Sequence, residues 1–182
     1  MKHSGHAARI AYTALFLSLS LVLSWLEMQL PQAPFLPPGV KLGLSNVVTM
    51  YCLFFVNAPS AFLVAFLKSL FVFLMRGSFA GLFSFLGGLC SVTVMLIFSR
   101  LLKKRISYLM LSILGAVFHN MGQLAGVSLT LSRHAWIYAP ALVLSGIVMG
   151  CLTGLMLKVI LPALSHLTSF HRLPSSKGGP HE

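Results

Sequence analysis

Long apolar stretches alternate with short polar breaks along the chain, and six of these stretches approach the length of a membrane-spanning helix. A helix needs about 20 residues to cross the hydrocarbon core of a bilayer. The predicted spans are about 9–27, 41–57, 59–75, 79–100, 107–131 and 137–160. We therefore expect an all-α fold, a polytopic membrane protein in which a six-transmembrane-helix bundle forms a single integral membrane domain over residues 1–182.

The breaks between the spans contain residues that end helices. The connection at 28–40 carries four prolines and cannot continue a helix. Tight turns are predicted at 57–59 and 76–78, a charged loop at 99–105, and a cytoplasmic tail at 161–182.

Positive charges fall unevenly on the two sides of such a bundle. With both termini in the cytoplasm, the inner side holds nine Lys and Arg residues, whereas the outer side holds only Lys41, Arg76 and Arg133. Positively charged loops remain on the cytoplasmic side of a membrane. The pattern therefore predicts that both termini are cytoplasmic.

Composition narrows the function further. The chain is 57% hydrophobic and has only two acidic residues against 13 Lys+Arg, and it contains no aspartate. Catalysis by paired carboxylates, or by Mg²⁺ held on acidic side chains, needs groups that this chain lacks. Its basic residues separate apolar spans instead of alternating with exposed aromatics, which argues against a nucleic-acid partner. We expect no enzymatic activity, no cofactor and no metal site.

Small residues recur at helical spacing in two spans. Gly146, Gly150 and Gly154 lie four residues apart on one face of the last span, where another backbone can approach closely. This face either packs within the bundle or docks to a partner membrane protein. Ala7 and Ala11 form a smaller face of the same kind at the start of the first span.

A second feature is the segment PPGVKLGLSN, which enters the second span. It places Lys41 at the membrane boundary and Asn46 about one and a half turns deeper. Lys41 either snorkels to the interface or lines an outward-facing pocket together with Asn46. Glu27, at the outer end of the first span, is the expected counter-ion of Lys41.

Polar residues inside the third and fifth spans are the remaining candidates. Lys68 lies in the middle of an apolar span, where a charge is costly and usually faces protein or a water-filled cavity. Its expected partner is a backbone carbonyl, a hydroxyl such as that of Ser69, or a bound anion. His119 and Gln123 share one helix face and Asn120 points to a neighbouring one. These three residues form either a structural network between helices or the wall of a polar pocket.

Four segments carry a resemblance to a known family. The chain resembles heptaprenyl diphosphate synthase component I, also called the Gx transporter family, from about residue 9 to 160. The segments are PPGVKLGLSN, FSFLGGLCSV, SILGAVFHNMGQ and LVLSGIVMGCLTGL, and KLGLSN and HNMGQ are the most specific parts. Ser45 stands where the family pattern has alanine, and Lys68 where arginine is usual.

The resemblance implies two functions. The family is similar to the substrate-binding subunits of energy-coupling factor transporters of the bacterial inner (cytoplasmic) membrane, six-helix proteins that bind a small molecule near the outer face. Those subunits dock to a membrane coupling subunit, often through a small-residue face on the first helix, and partner ATPases supply the energy. The surplus of cations over acids favours a ligand with an anionic group. The alternative is a non-catalytic membrane component of heptaprenyl diphosphate synthase in quinone biosynthesis.

Overall fold

The computed structural model describes residues 3–29, 44–102, 106–130 and 133–169, and within these ranges it contains helices and no strand. The predicted all-α class is therefore confirmed. The helices are α1 (His3–Gln29), α2 (Leu44–Tyr51), α3 (Ala58–Arg76), α4 (Ser78–Leu102), α5 (Tyr108–Thr130) and α6 (Ala139–Ser169). A π-helical turn, Cys52–Val56, extends α2, and a 3₁₀ segment, Arg133–Tyr138, precedes α6.

Five of the six helices are long and apolar enough to cross a membrane, and α2 is the exception. It has eight residues of α-helix followed by five of π-helix. At about 1.5 Å per residue this is roughly 20 Å, less than the roughly 30 Å of a hydrocarbon core. The second predicted span, 41–57, is therefore confirmed as a helix from Leu44 onward but not as a full crossing. Residues 41–43 lie outside the described residues.

Helix α2 occupies the centre of the bundle. It contacts all five other helices, while the successive pairs α3–α4, α4–α5 and α5–α6 pack side by side around it. Its end lies beside the middle of α1, where the rings of Phe16 and Tyr51 are 4.8 Å apart. Its beginning lies beside the end of α1, where Ser45 contacts Glu27. Helices α1 and α2 are therefore antiparallel.

The two predicted turns are confirmed, and each has a local cause. Asn57 ends the π-helical turn through its backbone N–H, which donates to Cys52 O, and its side-chain Oδ1 caps α3 by accepting from the N–H of Ser60 at 2.7 Å. Gly77 ends α3 with a φ of 90°, a conformation that favours glycine. These turns fix the antiparallel order of α2, α3 and α4.

The glycine face of α6 packs inside the bundle. A Cβ atom on Gly146 would lie 2.9 Å from Val117 Cα, and one on Gly150 would lie 2.5 Å from Ile113 Cα. Gly154 packs in the same way against Leu109. The three glycines therefore pack against α5 within the bundle. Ala11 is exposed on α1, and the side chain of Ala7 lies outside the described residues.

The last helix is longer than expected. The predicted final span ends at residue 160 and a tail is expected from 161, but α6 continues to Ser169. The part of the described chain at this end that is long and apolar enough to cross a membrane runs from His134 to Val159.

Candidate ligand-binding cavity

A polar cavity lies inside the bundle, and all six helices contribute to its wall. Its volume is about 40 Å³, which is room for a few water molecules. The lining residues are Ser24, Glu27, Ser45, Asn46, Met50, Lys68, Ser84, Ser91, Met95, Ser112, Gly115, Ala116, His119, Asn120, Gln123, Met149 and Thr153. The outward faces of the same helices carry large exposed apolar side chains. The bundle is therefore apolar outside and polar at this internal site.

Two buried charged residues meet at one side of the cavity. Lys68, near the middle of α3, donates from Nζ to Asn46 Oδ1 at 2.8 Å and to Ser45 Oγ at 3.3 Å. Ser45 in turn donates to the Glu27 carboxylate from its hydroxyl at 3.3 Å and from its backbone N–H at 3.4 Å. The serine hydroxyl therefore relays a hydrogen bond from the ammonium group to the carboxylate.

The burial of these charges explains the network. Lys68 is 4% exposed and Glu27 is 7% exposed. A lone charge at membrane depth costs roughly 2.5–3.5 kcal/mol on insertion scales, so such groups pair inside the protein. Neither group is thus left alone in the bundle.

One expected partner differs from that found, and another lies outside the described residues. Glu27 was expected to balance Lys41, but its described contacts are with Ser45, and Lys41 lies outside the described residues. Ser69 does not contact the ammonium group of Lys68, because its hydroxyl donates to Phe66 O at 2.6 Å within its own helix. Sequence spacing along one helix could not reveal that Ser45 of α2 lies between α1 and α3.

The polar residues of α5 divide between two roles. His119 and Gln123 reach the cavity with their Nε2 atoms 3.2 Å apart. This contact joins the two side chains along one face of α5. Asn120 Nδ2 donates to Leu142 O at 2.9 Å and to Ser145 Oγ at 3.3 Å, which ties α5 to α6. Asn120 therefore lines the cavity and also belongs to a structural network.

Hydroxyl groups line the rest of the cavity. Ser112 and Thr153 bond to each other at 2.6 Å. Ser24, Ser84 and Ser91 are buried at the wall, and none of their hydroxyls bonds to another described residue. A buried polar group without a partner is costly. These three hydroxyls are therefore available to whatever occupies the cavity.

The structure gathers most of the predicted site and adds residues that the sequence did not single out. Asn46, Lys68, His119, Asn120, Gln123 and Glu27 all line one cavity. The serines and the methionines Met50, Met95 and Met149 were missed because such residues are common in membrane helices. The spacing of Ser84 and Ser91, two turns apart on α4, is a signal that could have found part of this wall.

The described part of the chain contains no group of three or more His, Cys, Asp or Glu residues placed to hold a metal ion. Cys52 is buried, and Cys90 and Cys151 are partly buried as free thiols. The chemistry of the cavity is thus hydrogen bonding around one charged pair.

Comparison with known proteins gives one match. Neither the curated proteins nor the solved structures include a match to this chain. A family model described as heptaprenyl diphosphate synthase component I matches residues 16–160, which include all six helices in whole or in part and every cavity residue described above. The chain therefore belongs to the heptaprenyl diphosphate synthase component I family.

Proposed function

We propose that this protein is the membrane substrate-binding subunit of an energy-coupling-factor-like transporter and that it holds a small molecule in the cavity beside Lys68. It has no ATPase or prenyltransferase activity of its own. Lys68, Asn46, His119 and Gln123 contact the ligand. Glu27 supports Lys68, and Asn120 shapes the wall from α5.

The observation that carries this proposal is the polar lining of a cavity enclosed by lipid-facing helices. A bundle that served only as an anchor would be more stable with apolar residues at these positions, since buried ion pairs contribute little net stability. The buried pair and the three serine hydroxyls without described partners instead suit a hydrogen-bonding solute. Polar and ionisable groups inside membrane bundles commonly mark such solute sites.

Ligand entry requires the helices to move. A cavity of about 40 Å³ is well below the roughly 300–1,000 Å³ of typical ligand pockets. Most of the wall therefore shifts outward when the ligand binds. Coupling this movement to a partner ATPase would provide the energy for transport, because the chain has no nucleotide-binding motif.

The distribution of cations supports an orientation with both termini in the cytoplasm of a bacterial cell. In that orientation the ends of α1 and α3 face outward, and the charged pair lies on the path from the outer surface. The exposed small-residue surface around Ala11 on α1 would then be available to a membrane coupling subunit near the inner side.

The family description favours a second candidate, a non-catalytic membrane component of heptaprenyl diphosphate synthase. In that role the cationic loop at 99–105 and the basic end of the chain would hold a soluble synthase at the membrane. The internal cavity would then need no ligand.

Purification of the tagged chain from its native membrane in mild detergent distinguishes the two functions. For the transporter subunit we expect a second membrane protein and ATPase subunits to co-purify. A soluble prenyl synthase recovered in their place would contradict it and support the second candidate. A variant with Arg100 and the lysines of the 99–105 loop changed to glutamine serves as a control, because only the second candidate needs that loop for its partner.

A further inference from the structure

The described wall of the cavity is balanced in charge. Lys68 and Glu27 are the only Lys, Arg, Asp or Glu residues among its described lining residues. They lie on either side of one hydroxyl, that of Ser45, which accepts from the ammonium group and donates to the carboxylate. Among the described lining residues, one positive charge therefore faces one negative charge.

The rest of the described wall contains no further Lys, Arg, Asp or Glu. His119 is hydrogen-bonded to the side chain of Gln123. The other polar lining groups are the amides of Asn46 and Asn120 and the hydroxyls of serine and threonine. These groups offer donors and acceptors to a ligand without favouring either sign of charge.

We infer that the cavity selects small hydrogen-bonding solutes of zero net charge, neutral or zwitterionic, and that Glu27 is the residue that excludes anions. This inference rests on the proposed binding function and replaces the anionic ligand expected from composition. An anion entering the cavity would have to compete with a carboxylate that is already placed beside Lys68. It would also bring a second negative charge next to Glu27 in a low-dielectric interior, where like charges repel strongly.

Removing the carboxylate should convert the site into an anion site. In Glu27→Ala, Lys68 lacks its counter-ion, and the space left by the carboxylate suits an acetate ion. We compare sodium acetate with acetamide, which has the same shape and no charge. The acetamide samples also contain sodium gluconate, which gives them the same ionic strength as the sodium acetate samples. Gluconate serves this purpose because it is too large to enter the cavity. Thermal unfolding is followed by a thiol-reactive dye that reports exposure of the buried Cys52.

The expected result is that acetate raises the melting temperature of Glu27→Ala by roughly 2–4 °C above acetamide, whereas the wild-type protein shows no difference. Glu27→Gln keeps the side-chain volume and should show a smaller acetate effect of the same sign, so it carries the test if the alanine variant does not fold. Ser18→Ala, on the exposed face of α1, should behave as the wild type does.

Two outcomes would overturn the inference. A wild-type protein stabilised by acetate over acetamide would mean that Lys68 is open to external anions in spite of Glu27. Glu27 variants without any acetate preference would mean that the carboxylate does not set the charge of the site. Neither outcome depends on the partner proteins, so failure here is distinct from failure of the transporter proposal.

Discussion

At the scale of single residues, Ser45 connects the two buried charges. From the family resemblance we expected alanine at this position and arginine at position 68. Arginine presents five donors on a planar fork and pairs with a carboxylate directly. Lysine has a single nitrogen, and here it reaches Glu27 through the Ser45 hydroxyl. Exchanging lysine for arginine should therefore make the link through Ser45 unnecessary.

This exchange predicts a compensating pair of substitutions. Ser45→Ala should destabilise the protein by about 1–3 kcal/mol, because Lys68 and Glu27 each lose a buried hydrogen bond. Adding Lys68→Arg should recover much of that loss, with a coupling energy of roughly 0.5–3 kcal/mol between the two positions. Thermal unfolding of the two single variants and the double variant measures the coupling.

Ser99→Ala is the matched control for this pair, because the Ser99 hydroxyl bonds only to Leu96 O in its own helix. Ser99→Ala should change the melting temperature of the protein little, whether position 68 is lysine or arginine. Strictly additive effects of Ser45→Ala and Lys68→Arg would contradict the bridging role of the serine.

The residues of the site were predictable to different degrees. Lys68, His119 and Gln123 stand out because charged and amide side chains interrupt apolar spans. The partner of Lys68 was not predictable, since it depends on which helices are neighbours and on their relative height. Glu27 was expected to be the counter-ion of Lys41, which lies outside the described residues, whereas the structure links Glu27 to Lys68 of α3 through Ser45 of α2.

At the scale of helices, close backbone contact holds the second half of the bundle together. Glycines of α6 meet the α5 backbone, and glycines of α4 and α5 let those two helices approach. Without a hydrophobic driving force between helices in lipid, such contacts supply much of the association. The four-residue spacing predicted a close helix contact correctly, and only the structure identified α5 as the partner.

A pair of glycine substitutions tests this packing. A Cβ at Gly150 would lie 2.5 Å from the backbone of Ile113, whereas one at Gly88 would find only Ala65 Cβ at 3.5 Å. Gly150→Ala should therefore cost about 1–3 kcal/mol. Gly88→Ala should be neutral or stabilising by up to about 1 kcal/mol, because alanine is the better helix former.

The measurement is the melting temperature of each variant in the same detergent. If Gly88→Ala destabilised the protein as much as Gly150→Ala does, close approach of α5 and α6 would not be the reason that glycine occupies position 150.

Helix α2 shows where an apolar pattern misleads. Val47, Val48 and Met50 through Leu53 are buried among other helices, not exposed to lipid. A helix surrounded by protein and a helix surrounded by lipid have the same apolar composition, so the sequence counted α2 as a full span. The other five predicted spans match observed helices to within a few residues at most of their ends.

At the scale of the whole molecule, the sequence predicts the all-α fold class and membrane insertion well, because both depend on composition and on the length of the apolar segments. The cavity depends on the relative heights of residues on six helices, which no local pattern records. The predicted orientation in the membrane rests only on the distribution of Lys and Arg residues along the sequence.

Cysteine labelling in intact cells tests the orientation. Ser78 is exposed at the first residue of α4, and Ser107 is exposed between the end of α4 and the start of α5. In a background in which the three native cysteines are replaced, Ser78→Cys should react with a membrane-impermeant maleimide from outside. Ser107→Cys should react only after the cells are permeabilised, and the reverse pattern would contradict cytoplasmic termini.

The most direct test of the cavity as a binding site is native mass spectrometry of the chain purified in mild detergent. We expect each wild-type chain to carry one added small-molecule mass, and we expect Lys68→Met to lose it while Ser18→Ala keeps it. A folded wild-type chain without any added mass, or the same added mass on the Lys68→Met variant, would contradict a ligand site beside Lys68.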